Sequence, residues 1–264
     1  MTDRAPEVAL TAAEVQEILS LCGPAALLVG GQALALWAVV YDVTPPQVLA
    51  AAISSDADFI GNAEVARELG NSLKNWDFWR PQFDDATVQT AKLTRSVTDG
   101  IKQIDFLGAI AGLDTAAIQR RAVTLTLASG IDLRVLHPLD VLESRLKNLL
   151  LIQAKRNPAG IAQAQLAINI VKGFLDRLLN EAADIRVVFD AIERIAQIAT
   201  NKALTGVMLD YSLDVLSAVP VERIEHPAFQ TQRWPKIVQT VTRQQRQYQQ
   251  LRARRRKPSS RPLL

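Results

Sequence analysis

A change of character near Pro138 constrains this chain more than any other feature. Before it, short apolar runs bounded by glycine and proline alternate with stretches of helical periodicity. After it, apolar residues recur at helical spacing through Val141, Leu142, Leu146, Leu149 and Leu150, and glycine becomes sparse. A chain of this kind predicts an α+β fold, with a mixed sheet and flanking helices followed by a helical C-terminal domain. Boundaries are expected after Leu136 and after Glu225. They give an α/β domain over 1–136, a helical domain over 137–225 and a basic helical tail over 226–264, expected to be partly disordered.

Individual elements follow from local signals. Thr11 to Cys22 carries apolar residues at Val15, Ile18, Leu19 and Cys22, with Thr11 and Glu14 spaced as a capping box. Gly23-Pro24 ends that helix, Ala25 to Val29 reads as a short buried strand, and Gly30-Gly31 turns it into a helix over Gln32 to Val40. Ala57 to Ile60 reads as a strand and Ala63 to Leu73 as a helix. Further strands are expected at Val88 to Arg95, Lys102 to Leu107, Ala122 to Leu127 and Ile131 to Leu136. In the second half, helices are expected from Pro158 to about Glu181, over Ile185 to Thr200, over Ala203 to Ser217, and from Trp234-Pro235 onward.

With 264 residues, 48% of them hydrophobic, the chain has enough apolar surface for one substantial core or two modest ones. No apolar run approaches the roughly 20 residues that span a bilayer, so no membrane association is expected. The N-terminal residues lack a basic start and an apolar stretch, which makes cytoplasmic residence the expectation. A lone cysteine, Cys22, can form no internal disulfide and is expected to be a buried spectator. The net charge of +3 conceals an asymmetry: ten of the 30 basic residues, and none of the 27 acidic ones, lie beyond Glu225.

The sharpest local feature is Ser54-Ser55-Asp56-Ala57-Asp58-Phe59, two acids one residue apart on an expected strand. Alternate strand residues share a face and lie roughly 6.5 to 7 Å apart, so both carboxylates can reach a common magnesium or manganese ion. Asp105, in Lys102-Gln103-Ile104-Asp105-Phe106-Leu107, sits on another strand with an apolar residue on either side. An acid in such a place is paired, at a sheet edge, or bound to metal. Singly, each piece also fits a solvated turn, an edge strand or a tight glycine turn. Their order sets them apart: strand, Gly-Gly, helix, then acid-x-acid on a strand, then a third acid on a later strand. Backbone N–H groups at the start of the Gln32 helix suit an anionic phosphate, and glycine permits its close approach. His137 and His226 each precede a proline at an element boundary and read as structural.

Leu27-Leu28-Val29-Gly30-Gly31-Gln32-Ala33-Leu34-Ala35-Leu36, followed by Ser55-Asp56-Ala57-Asp58-Phe59, resembles the polymerase-beta-like nucleotidyltransferase superfamily. Its AbiEii-type branch, which includes toxins of toxin–antitoxin and phage-defence systems, is the most similar. The resemblance covers roughly Ala25 to Leu146. It implies that Asp56, Asp58 and Asp105 are catalytic and bind Mg2+ (or Mn2+), and that Gly30, Gly31, Gln32 and Ser55 hold a nucleoside triphosphate. Arg145 stands where the branch commonly has lysine, with Lys147 two residues on, and either cation is a candidate for a phosphate contact. The branch's later acidic stretch is absent from Lys155-Arg156-Asn157-Pro158.

Two functional classes follow. One is a metal-dependent enzyme that moves a nucleotide from a triphosphate to an acceptor, RNA or tRNA foremost, as a toxin or defence component with an antitoxin partner. The other is a catalytically weak relative that binds RNA or a partner protein through the basic tail. In that tail Arg252, Arg254, Arg255, Arg256 and Lys257 are candidate contacts to nucleic-acid phosphates, and the alternative is a solvated end.

Overall fold

The computed structural model describes residues 5–49, 56–82, 84–85, 87–127, 130–181 and 184–256. By contact the chain divides into Met1–Ile170 and Val171–Leu264. That division lies well beyond the Leu136 boundary that the change of composition suggests. The reason is that the helix after Pro138 belongs to the first unit. The Trp37 indole donates to the Leu136 carbonyl at 2.7 Å, and Arg121 clasps the fully buried Asp140 through two hydrogen bonds of 2.7 and 3.1 Å.

The first unit contains α1 (Ala12–Cys22), β1 (Leu27–Leu28), α2 (Gly30–Val40), β2 (Ala57–Ile60), α3 (Ala63–Ser72) and β3 (Asp77–Trp79). It continues with β4 (Gln89–Val97), β5 (Gly100–Leu107), α4 (Thr115–Arg121), β6 (Val123–Thr126), β7 (Asp132–Val135) and α5 (Pro138–Leu151). Capping fixes several starts. Thr11 and Glu14 form the capping box of α1, Asn62 accepts two backbone N–H groups at α3, and Asp114 accepts from Ala117 at α4. His137 accepts from the Leu139 N–H at the start of α5, which is a capping role.

Among the described residues seven strands form one mixed sheet in the order β3-β4-β5-β2-β1-β7-β6. β2 runs parallel to β5, and β1 parallel to β7; the other neighbours are antiparallel. Side chains alternate between faces, so register decides which residues meet. On one face Phe59 and Phe106 stack at 5.6 Å, Leu93 is fully buried against Gly70 of α3, and Lys102 and Arg95 both pair with Glu14 of α1. The opposite face carries the acids.

The second unit takes the end of α6 (Pro158–Asn180), then α7 (Ile185–Ala199), α8 (Lys202–Asp210) and α9 (Trp234–Arg256). Asp184 and Asn201 cap α7 and α8. The helix expected over Ala203 to Ser217 breaks after Asp210, where Ser212 takes a φ of 54° and Asp214 caps a separate 3-10 turn, Val215–Ala218. Phe189 stacks on Phe229 at 5.5 Å beside His226, whose Nδ1 accepts from the Phe229 N–H. Among the described residues no single helix is long and apolar enough to cross a membrane.

Candidate metal centre

The expected strand Ala57 to Ile60 forms as β2; Asp58 is its second residue and Asp56 immediately precedes it, two positions back along the alternation. β5 lies beside it in parallel, with Asp105 directly opposite Asp58. The two stacked phenylalanines, one residue further along each strand, lock this register from the other face. One carboxylate oxygen from each of Asp56, Asp58 and Asp105 can be chosen so that all lie within 4.8 Å of one another. Anionic oxygens at that spacing suit a hard divalent cation such as magnesium or manganese.

Such a cluster resists full ionisation by itself. Burial, followed by repulsion from Asp56 and then Asp105, pushes the Asp58 carboxyl up to about 7, against attraction from Arg145 and Lys155. Asp105 is buried and held from two sides: Gln89 Nε2 donates to Oδ1 at 2.9 Å and Gln103 Nε2 to Oδ2 at 2.6 Å. Lys92 Nζ stands 3.9 Å from the same Oδ1. A carboxylate offers about four lone-pair sites, more than these two hydrogen bonds use, and the two amides fix the orientation of Asp105. Gln89, Lys92, Thr94 and Gln103 also line an open groove of about 560 Å³, bounded across β5 by Ala5 and Glu7.

The glycine pair does not form a turn ahead of the helix; α2 begins at Gly30 itself. Gly30 has a φ of 64°, and a Cβ built there would stand 1.9 Å from Asp58 Oδ2. Only glycine fits, and the first turn of α2 thereby lies directly against the acids. The leading N–H groups of any helix lack intrahelical partners, so this turn offers donors to an anion next to the carboxylates. Gln32 is buried in that same first turn. Ser55 lies outside the described residues.

The two expected phosphate cations separate. Arg145 and Lys147 are two residues apart on α5, about 200° around the helix, and so face opposite ways. Arg145 is buried, interacts electrostatically with Asp58 and Asp56, and donates from Nη1 to Gln163 at 3.0 Å. Its Nε has no partner among the described residues. Burial lowers its proton affinity and the two aspartates restore part of it, which makes it the internal counter-charge of the cluster. Lys147 turns away to Glu143 and the Gly112 carbonyl, both at 2.6 Å, so the structure does not bring it to the acids.

Lys155 is the cation that sequence reasoning missed. It is exposed, yet it acts on Asp58. Its loop is pinned by Arg156, which donates to the Leu149 and Leu150 carbonyls, and by Gly160, where a Cβ would meet the Lys155 carbonyl at 2.0 Å. Gln89 and Gln103 were missed as well. Gln103 was findable, because it lies two residues before Asp105 on the same strand face.

In the tail, Arg252 is taken up by an ion pair with Asp210, and Arg254 is exposed. Arg255 and Arg256 fall within α9, but their side chains lie outside the described residues, as does Lys257. No protein-family model matches the chain, and no curated protein matches its sequence.

Proposed function

We propose that the chain is a metal-dependent nucleotidyltransferase with a polymerase-beta-like core, of the AbiEii type. The observation that carries this reading is the convergence of Asp56, Asp58 and Asp105, from neighbouring parallel strands, beside the glycine start of α2. Asp56, Asp58 and Asp105 would hold Mg2+ or Mn2+, whose charge, when bound, neutralises the attacking and leaving oxygens of an in-line displacement.

The chain's own groups supply the rest. The first turn of α2 binds the triphosphate, and Lys155 meets its outer charge. Arg145 offsets the aspartates from within the protein. The acceptor enters through the groove along Gln89, Lys92 and Gln103, which leads to Asp105. There a hydroxyl oxygen of the acceptor bonds to the α-phosphorus, the bond from that phosphorus to the bridging oxygen breaks, and pyrophosphate leaves. Asp105 receives the hydroxyl proton. Phosphoryl transfer of this kind rests on positioning and charge, so it needs neither a cysteine nor a histidine in the site. An RNA end, tRNA included, is the proposed acceptor, and action as a toxin or defence component with a cognate antitoxin is part of the same proposal.

Incubating purified protein with each α-labelled nucleoside triphosphate, Mg2+ and total RNA tests the reading. Wild type should label an RNA species with one triphosphate, and Asp58→Asn and Asp105→Asn should lose at least about a hundredfold in rate. Absence of label from every triphosphate, or equal labelling by the Asp58→Asn protein, refutes it.

A further inference from the structure

α9 presents two chemically different faces. Trp234, Ile237, Val241, Gln244 and Tyr248 recur at three- and four-residue spacing and are all buried or partly buried. Gln244 donates to Thr205, Arg252 pairs with Asp210, and Tyr248 lies against Gly206, so this stripe is the one that packs on α8. Lys236, Thr240, Arg243, Gln247, Gln250 and Arg254 share a second stripe, roughly 27 Å long at the helical rise. All but Thr240 are exposed, and Arg246 and Gln239 flank them.

Nothing among the described residues neutralises this second stripe. α9 contains no acid, and Lys236, Arg243 and Arg246 take part in no ion pair there. A groove of about 620 Å³ follows the face, and its described lining carries these three cations, glutamines and threonines, with no acid and no large apolar side chain. Val238 and Leu251 are exposed on α9 but stand apart outside this lining, too few to make the apolar face that an interfacial helix inserts into a lipid surface. Cations spaced along one helix, interleaved with amides that both donate and accept, match a polymer of phosphodiesters with polar base and sugar edges.

We propose that this face of α9, through Lys236, Arg243, Arg246 and Arg254, binds the phosphate backbone of a nucleic-acid strand. The site differs from the one the basic run alone suggests, because Arg252 points to the packed side. It is independent of the transfer reaction and stands whether or not the metal centre is active.

The test is fluorescence anisotropy of the full chain with a labelled 20-nucleotide RNA across a salt series. A DNA of the same sequence and vesicles of phosphatidylserine and phosphatidylcholine run in parallel. Four neutralised phosphates predict a slope of log affinity against log salt of about −3 for a single strand. The Lys236→Gln/Arg243→Gln/Arg246→Gln protein should flatten that slope to about −1 and lose roughly a hundredfold in affinity near 0.1 M salt. A control that removes equal charge from exposed cations elsewhere in the same unit, Lys172→Gln/Arg186→Gln/Lys202→Gln, should keep the wild-type slope. Circular dichroism verifies that both variants retain their helices. The proposal is overturned by any of three results: no binding to RNA or DNA at low salt, equal loss in the control, or tighter binding to the vesicles than to nucleic acid.

Discussion

Replacing Asp58 by asparagine should make the protein more stable while abolishing what the acid does. In the metal-free protein its carboxyl titrates at about 7, against 3.8 for an ordinary aspartate, through burial first and then repulsion by Asp56 and Asp105. Between those two values the folded chain holds a proton that the unfolded chain has released. Stability must therefore fall as pH rises through that window, and level off above it. At 1.36 kcal/mol per pK unit the ceiling is about 4 kcal/mol, and partial solvent access reduces the expectation to roughly 1–2 kcal/mol. Asparagine carries no such penalty.

In a chelator at pH 8, Asp58→Asn should unfold several degrees higher than wild type, on the order of 2–4 °C per kcal/mol for a chain of this size. By pH 5 the gap should shrink by more than half, and it should close near pH 4, at the unfolded value. Glu14, which is held down to about 2 by Lys102 and Thr11 against its own burial, titrates below this range and leaves the comparison undisturbed. Added Mg2+ should raise the wild-type midpoint at pH 8 and leave that of the variant in place. A variant that melts below wild type at pH 8 in chelator, or a gap that does not shrink by pH 5, would refute the account of a self-repelling cluster.

Three further outcomes are expected. Gly30→Ala should cost about 1–3 kcal/mol in urea denaturation and lose the Mg2+-dependent rise in melting midpoint, because its Cβ takes the place of Asp58 Oδ2; Gly23→Ala, with a φ of 51° and no atom within 4 Å of its Cβ, should lose only the backbone part. Arg121→Met should destabilise by about 3–5 kcal/mol by leaving the fully buried Asp140 carboxylate without its ion-pair partner, and Arg121→Met/Asp140→Leu should recover most of that in the same denaturation series. Cys22 is buried, which pushes its thiol up to about 12, so a disulfide reagent at pH 8 should modify it only at the rate of unfolding.

Much of the framework was legible because its signals are local. The Thr11/Glu14 capping box, strand Ala57–Ile60 and the long helix from Pro158 are each announced by neighbours in sequence. β3 was not, since Asp77-Phe78-Trp79 offers three residues with an exposed tryptophan and no alternation to read. α4 was missed for a related reason: seven residues after an Asp114 cap are too few to display a period. At the site, the three aspartates were visible as residue types in order. Their partners were not, because Gln89 reaches Asp105 only through the β4–β5 pairing, which shifts at a bulge between Gln89 and Ala91. Arg145 was visible as a cation but not as an interior one, and Lys155 acts from a short turn that carries no motif.

The opposition of Asp58 and Asp105 across parallel strands has a consequence for how function can be lost. Side chains change faces at every residue, so sliding β5 by a single position would swap the acid into the aromatic layer and bring Phe106 or Ile104 out in its stead. Asp56 and Asp58 stay together on the β2 side of such a slip, so it is the third carboxylate that the alignment of β5 decides. Under the proposed metal-binding role, the alignment of β5 should therefore set whether a cation meets three carboxylates or the Asp56/Asp58 pair alone, a stepwise rather than a graded loss.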